Sequence, residues 1–318
     1  MTSTPTTCPI CTASSTFSTL ERYVDPQTVT SYTLFECSAC SVRFWEPLKN
    51  PGGDWYAHDG RYADRNELPI LAPNWNHTKI ISFLSPFTGK VLDVGCGVGT
   101  FLAWASLQGW QSTGIDFDAD AIEAGKNTFG LDQLTVEDIT SFARNHPGAS
   151  FDLVTFFDVL EHVDNHREFI ATIRGLLAPG GYVAMSMPYR GRAPWLMEAD
   201  VPPRHLTRWD RGSLKGFLER EGFETLYIHR TPASIRFIIL KLRFRFGRKL
   251  SVGLVKKVRN AEGGTNPARS RALLIAAQAA AQIKDAILFG LPALVIWLTL
   301  LPTKKRYIGL YAIARKKV

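Results

Sequence analysis

Four cysteines in two Cys-x-x-Cys pairs and one glycine-spaced turn are the residues of this chain whose types and spacing could do chemistry. Cys8 with Cys11 and Cys37 with Cys40 lie 25 residues apart. Each pair can form a knuckle that presents two thiolates, and four thiolates complete a tetrahedral zinc site. Such a site has no open coordination position, so its metal holds structure and performs no reaction. The paired spacing disfavours unpaired structural cysteines and points to a reducing compartment. Gly95, Gly97 and Gly99 follow the apolar run Val91 to Val94, which reads as a buried strand. A turn without side chains lets a ligand lie against the backbone, and exposed N–H groups at the helix start favour electron-rich groups. Dinucleotide turns space their glycines G-x-G-x-x-G; here the pattern is G-x-G-x-G, with Asp93 two residues ahead. Cys96, inside the turn, reads as a small residue and not as a metal ligand.

The elements that must carry this turn alternate. Thr100 to Gln108 reads as a helix, Ser112 to Ile115 as a strand ending in Asp116, and Asp118 to about Gly130 as a second helix. A short strand, Leu134 to Val136, leads to Asp138 and Ile139. Phe151 to Phe156 is an apolar strand. Phe169 to Leu177 is a helix expected to end at Pro179-Gly180-Gly181, and Tyr182 to Met187 is the next strand. Ser213 to Glu221 and Phe223 to His229 add a helix and a strand, and Tyr307 to Ala314 a final strand after a long interruption. Strands alternating with helices at this pitch imply an α/β fold, a doubly wound parallel sheet with helices on both faces. The 318 residues divide into a ribbon over 1–45, a linker with lid helices over 46–87, and a core over 88–230. A helical insert over 231–306 and a last core strand over 307–318 complete the chain.

From about residue 88 to 230 the chain resembles the class I S-adenosylmethionine-dependent methyltransferases, in particular the quinone-biosynthesis-like domain. The resemblance rests on Asp93 to Gly99, Gly114-Ile115-Asp116, Asp138-Ile139, Phe151 to Val154 with Asp158 to Val163, and Leu176 to Gly181. It implies a Rossmann-like fold with S-adenosyl-L-methionine as cofactor. It also implies that Asp93, Gly95, Cys96, Gly97 and Gly99 form the cofactor turn. Asp116, with Phe117 beside it, would take the ribose hydroxyls; a carboxylate at a strand end about 20 residues past the glycines suits that task. Asp138 and Ile139 would hold the adenine, and Phe157 and Asp158 would also contact the cofactor. A zinc ribbon ahead of such a domain resembles, more loosely, a bacterial group that modifies sugars and other small metabolites.

Methyl transfer is an in-line displacement that needs an aligned acceptor and a group to take its proton. Asp158, Glu161, His162, Tyr189 and His205 are the candidates at the carboxyl ends of the strands. His205 follows Pro202-Pro203, which stiffen an extended approach, and imidazole titrates near neutral pH; it is the first choice of base. A surface histidine is the other reading of His205, and a loop-organising role the other reading of His162. Asp158, Glu161 and His162 could instead hold a divalent ion. Trp55, Tyr56 and Tyr62 are expected either to cover the cofactor or to pack between ribbon and core.

Charge divides the chain. Residues 230–318 hold 19 Lys/Arg and 2 Asp/Glu, whereas the first 229 residues are net acidic, within an overall charge of +8. A cationic segment implies an anionic partner. Ile235 to Phe246 mixes apolar and basic residues without deciding between helix and strand. Arg271 to Phe289 is an Ala-rich helix, and Ala286 to Pro302 is an apolar run at the lower limit for a membrane span. If the final strand joins the sheet, a single crossing is excluded. What remains is a helical hairpin, a monotopic insertion or a buried helix pair. Association of 231–306 with an anionic membrane surface is expected, the alternative being a helical subdomain packed on the sheet or on a second subunit. Met1 to Thr7 has no apolar run, so a cytoplasmic protein, peripheral on the inner membrane face, is expected. The acceptor is then a small or lipid-linked molecule, methylated on oxygen or carbon. A ribosomal RNA methyltransferase and a non-catalytic cofactor-binding scaffold are the alternatives. Against nucleic acid, Phe156-Phe157-Asp158-Val159 stands where amino-base enzymes carry an Asp/Asn-Pro-Pro-Tyr/Phe element.

Overall fold

Near-continuous apolar runs such as Val91-Leu92 and Leu153-Val154 send successive side chains to opposite faces, so the central strands are buried on both. The computed structural model describes residues 5–58, 73–193, 200–246 and 267–317. Its seven-stranded sheet, among the described residues, runs in the order β10-β11-β8-β7-β4-β5-β6. The strands are β4 (Lys90–Val94), β5 (Gln111–Asp116), β6 (Leu134–Val136), β7 (Phe151–Phe157), β8 (Leu177–Pro188), β10 (Phe223–Pro232) and β11 (Tyr307–Lys316). β4 to β8 pair in parallel, and β11 runs antiparallel to β8. Leu92, Val94, Val154, Phe156 and Met185 fill one face; Val91, Leu153, Ala184, Tyr311 and Ile313 fill the other. The order of connection reverses between β4 and β7, and in open parallel sheets that switch point is where a crevice forms at the carboxyl ends.

Helices on the two faces start and stop where local chemistry dictates. α1 (Gly53–His58) and α2 (Trp75–Leu84) precede the sheet, and Asn74 and His77 form a capping box at the start of α2. α3 (Thr100–Leu107) leaves the glycine turn directly. α4 (Ala119–Phe129) is capped by Asp118 and ends at Gly130 in the left-handed region. α5 (Ile139–Asn145), α6 (His166–Leu176) and α7 (Arg211–Arg220) open on Asp138, Asn165 and Asp210, each accepting amide N–H bonds. Pro179-Gly180-Gly181 does not end α6 as the sequence suggests. The helix stops at Leu176 and β8 starts at Leu177, with Gly180 at φ 72° and the pairing register with β7 slipping between Phe151 and Leu153. The glycine permits a bulged strand start in place of a free turn.

A second sheet of four strands holds the cysteines. β1 (Phe17–Val24), β2 (Ser31–Cys37) and β3 (Arg43–Glu46) form an antiparallel ribbon, and β9 (Thr207–Arg208) joins it against β3. The ribbon therefore takes its fourth strand from the segment that carries His205.

The chain divides into two units, Met1–Thr231 with Gly309–Val318, and Pro232–Ile308. In the second, α8 (Ile235–Phe246) is helical throughout, so the alternating Lys-Leu-Arg-Phe-Arg-Phe half is no strand. α9 (Pro267–Leu300) runs unbroken through Pro292, merging the Ala-rich segment and the apolar run that read as separate. β10 and β11 are neighbours in the sheet, so the chain leaves and re-enters unit one on adjacent strands.

Candidate active site

At the switch point the turn after β4 is side-chain free where it must be. Gly95, Gly97 and Gly99 have φ of 71°, 53° and 73°, a region that L side chains seldom adopt. A Cβ on Gly95 would lie 2.6 Å from Val159 and one on Gly99 2.7 Å from Leu131, so these two are held by packing. Gly97 faces open space, with nothing within 4 Å of a built Cβ. The amides expected to attract a ligand are partly used within the protein. Gly95 and Cys96 N–H donate to Ile115 O, and Gly97 N–H donates to Asp116 Oδ2 at 2.8 Å. What the turn offers is the space above Gly97 and a fixed carboxylate beside it.

Asp116, at the tip of β5, also accepts from the Asp118 amide at 2.9 Å. Burial raises its carboxyl above the usual range, against those amide bonds. Asp93, at the end of β4, is 3% exposed and accepts from Thr155 Oγ1 at 2.6 Å. Burial pushes it up to about 7; the Thr155 hydrogen bond opposes the shift and the Asp116 charge adds to it. The Cys96 thiol is raised by burial and by both carboxylates, and its sulfur sits where a Cβ on Gly114 would meet it at 2.9 Å. Cys96 is thus a neutral packing residue under the turn.

Beyond Asp116 opens a cleft of about 710 Å³, lined by Asn50, Gly53, Phe117, Val136, Asp138 and Ser141 among others. Phe117 and Val136 are 45% and 50% exposed there, an apolar pair suited to the faces of a flat ring. Asp138 caps α5: Oδ1 accepts from the Thr140 and Ser141 amides and Oδ2 from the Ser141 hydroxyl. Burial opposes ionisation of Asp138, but the Ser141 and Thr140 bonds and Arg144 outweigh it and hold the carboxyl below its ordinary value. Ile139 is buried in the core behind it. Tyr56 of α1 is buried with its ring 5.1 Å from Phe117 and 5.7 Å from His162, so one aromatic spans the cleft and the histidines. Trp55 packs edge-on to Tyr56, with the Arg204 guanidinium 5.8 Å from its ring. Tyr62 lies outside the described residues.

Two histidines meet at the other end of Tyr56. His162 closes a single 3₁₀ turn (Leu160–His162), and its ring lies 4.7 Å from His205. His162 Nδ1 is 2.6 Å from the Arg204 carbonyl, which can only accept, so Nδ1 carries the proton and Nε2 is the basic nitrogen. His205 Nδ1 is hydrogen-bonded to Asp200 Oδ1, leaving Nε2 of this ring basic as well. Asp200 is buried and paired with Arg192 at 2.8 Å, with Arg208 close by. Burial works against its charge, but the His205 bond and the Arg192 and Arg208 cations prevail and hold it far below the usual carboxylate range. Glu161 is buried with neither carboxylate oxygen hydrogen-bonded, and burial together with the Asp158 charge raises its carboxyl well above the ordinary value. Its backbone carbonyl accepts from Leu206 N–H at 2.7 Å, tying the 3₁₀ turn to the His205 segment. Asp158 is exposed at φ 55° and accepts from Ser186 Oγ; Phe157 stacks with Tyr311 and packs on Phe101 and His77. Tyr189 bridges to Trp209, with Arg230 over its ring.

Asp200, Arg192 and Arg208 are not evident from sequence as parts of this site. A carboxylate five residues before a histidine, across two prolines, is the only local signal of the pairing.

In the ribbon, Cys8 and Cys40 sulfurs are 3.8 Å apart and those of Cys11 and Cys37 3.9 Å, all four within 4.8 Å of one another. Sulfurs at about 2.3 Å from a tetrahedrally bound zinc stand about 3.8 Å apart, so the set fits that ion.

Similarity to known proteins agrees with this geometry. A family model described as a methyltransferase domain matches residues 61–228. A ubiquinone biosynthesis O-methyltransferase of Erwinia tasmaniensis is 30% identical over 198 residues, 58% of this chain and 76% of the relative. One from Idiomarina loihiensis is 28% identical over 199 residues, 59% of this chain and 71% of the relative. The fold is shared with phosphoethanolamine N-methyltransferase 2 of Haemonchus contortus in complex with S-adenosyl-L-methionine. That match has a TM-score of 0.54 at 17% identity, over 83% of this chain and 60% of that one. It is shared too with the [4+2]-cyclase SpnF, TM-score 0.51 at 18% identity over 84% and 96%. Open space over Gly97, a fixed Asp116 and an apolar cleft beside them fit a sulfonium nucleoside. With the match extending over more than half the chain, this protein belongs to the methyltransferase-domain family and is an S-adenosylmethionine-dependent methyltransferase.

Proposed function

We propose that the protein transfers a methyl group to a hydroxyl oxygen of a small or lipid-linked acceptor, with His205 as the base. The Asp200–His205 pair carries this reading. The cofactor supplies an electrophilic methyl carbon. His205 Nε2 removes the hydroxyl proton as the acceptor oxygen attacks, and the buried Asp200 carboxylate holds Nδ1–H and stabilises the imidazolium that forms. Arg192 and Arg208 keep Asp200 ionised and in place. Asp116 and the Phe117–Asp138 cleft bind and orient the cofactor, and His162 and Tyr56 close the space between cleft and base. The relatives named for O-methyl transfer in ubiquinone biosynthesis support oxygen over carbon and a small-molecule acceptor. We assign structural zinc to Cys8, Cys11, Cys37 and Cys40, and an anionic membrane surface as the partner of the basic insert, consistent with a lipid-linked acceptor.

The test incubates the protein with isotopically labelled methyl donor and cell extract and identifies labelled products by mass spectrometry. His205→Ala is expected to lower kcat by about 10²- to 10⁴-fold with little change in cofactor affinity. Asp200→Asn, whose amide would donate to Nδ1 and leave the proton on Nε2, is expected to fall by a similar factor. Full activity in both variants would refute His205 as base. A second reading has one observation behind it: ligand atoms of Glu161, His162 and His205 lie within 4.8 Å of one another, close enough for a divalent cation. Turnover lost on chelation and restored by magnesium alone would favour it; turnover that magnesium does not restore, or that zinc restores through the cysteine cluster, favours the base.

A further inference from the structure

Among the described residues, α9 is covered on one side only. Toward α8 it is packed: Ala293, Leu300 and Ile238 are buried, Arg243 pairs with Asp285 at 3.2 Å, and Trp297 Nε1–H donates to Ala233 O at 3.0 Å. The opposite side bears Ile283, Ile287, Leu291, Leu294, Val295 and Leu298, each between 38% and 77% exposed. At 3.6 residues per turn these six fall within an arc of about 120°. They belong to Gln282–Leu300, 19 residues of mean hydropathy 1.8 of which only 17% are buried. A continuous apolar face of this length needs a cover.

Charge selects the cover. Residues 232–308 hold fifteen Lys/Arg and two Asp/Glu. One of the two acids, Asp285, is buried against Arg243. Lys304 and Lys305 are exposed directly after the apolar stretch, and Arg306 lies over the Tyr307 ring at 4.9 Å while donating to its hydroxyl. An apolar stripe bordered by exposed lysines and an interfacial aromatic matches the boundary between acyl chains and anionic headgroups. A second apolar protein would satisfy the stripe but not the cations, and nucleic acid the cations but not the stripe.

Connectivity selects the mode. Gln282–Leu300 is long enough to cross a bilayer, but the insert begins at β10 and ends at β11, neighbours in one sheet. A crossing would need a return, and α8, 12 residues with Arg236, Lys241, Arg243 and Arg245, is too short and too charged for one. We propose that α9 lies in the plane of the membrane interface, with the Ile283–Leu298 stripe among the acyl chains of one anionic leaflet. This sharpens the membrane partner proposed above and rests on that reading.

The test is sedimentation of the full-length protein with vesicles of phosphatidylglycerol and phosphatidylcholine, and with phosphatidylcholine alone. The protein should bind the anionic vesicles and release them several-fold at high salt. Ile287→Glu with Leu291→Glu should weaken binding about tenfold or more, and Val295→Gln should weaken it by a smaller factor. Leu107→Glu, on an equally exposed apolar residue of α3, should change nothing. Cofactor affinity, measured on each variant by calorimetry, reports that the methyltransferase unit is intact and tests the enzymatic reading separately. Equal binding by wild type and stripe variants would overturn the proposal. So would a wild-type dimer that the stripe variants dissociate, or binding to RNA without binding to vesicles.

Discussion

Asp93 is a carboxylate placed where it resists ionisation. It sits at the end of β4 under the cofactor turn, with Thr155 as hydrogen-bond donor and the Asp116 charge nearby. Because the folded-state value is raised to about 7, above the ordinary 3.8, its contribution to stability is complete below pH 4 and is lost as pH rises through 7. Asp93→Asn keeps an oxygen for Thr155 and removes the titration. Melts of the protein without added cofactor should therefore show the variant gaining on wild type between pH 4.5 and 8, by about 2 to 4 kcal/mol at the upper end. A difference independent of pH would contradict the assignment. Asp200, equally buried, is held at the opposite extreme, because it has His205 and two arginines where Asp93 has one hydroxyl and a like charge.

At the scale of elements, β9 is where ribbon and site are coupled. It spans two residues, Thr207–Arg208, yet it pairs with β3, and it follows His205 directly. Arg208 reaches both Glu21 of β1 and the Asp200 carbonyl. The ribbon therefore braces the segment that holds His205, the base proposed above, and the cysteine cluster sets the ribbon. Removal of the metal by chelator, or Cys37→Ser, is expected to lower Tm. It should lower kcat more than cofactor affinity, because most of the cleft lining, Phe117, Val136, Asp138 and Ser141 among it, stands on β5, β6, α5 and their ends, with Asn50 and Gly53 added from the segment after the ribbon. Metal analysis should return one zinc per chain, and parallel loss of kcat and affinity would argue against this coupling.

The whole molecule comprises two units, for which we propose different ligands. Cofactor bound to the folded state of the first unit stabilises that unit alone, by about 2.7 kcal/mol at a hundredfold excess over Kd. For a unit of this size the shift is about 5–11 °C. Scanning calorimetry should resolve two transitions, one moved by S-adenosylmethionine and the other moved by anionic vesicles. A single transition that both ligands shift equally would show that the units unfold as one.

Local spacing was enough to determine the strand–turn–helix order, the glycine turn with Asp116 beyond it, and the two cysteine pairs. Each of these depends on residues a few positions apart, where backbone geometry leaves few choices. The charge division is likewise visible in composition. Tertiary structure alone decided that His162 and His205, 43 positions apart, share one face, and that Asp200, Arg192 and Arg208 converge behind them. It decided that β9 completes the ribbon, that α8 is helical despite its alternating half, and that Pro179-Gly180-Gly181 lies within a strand. Those outcomes follow from which surfaces meet when the chain packs, and short-range pattern carries no record of which distant side chain will occupy the other side of a contact.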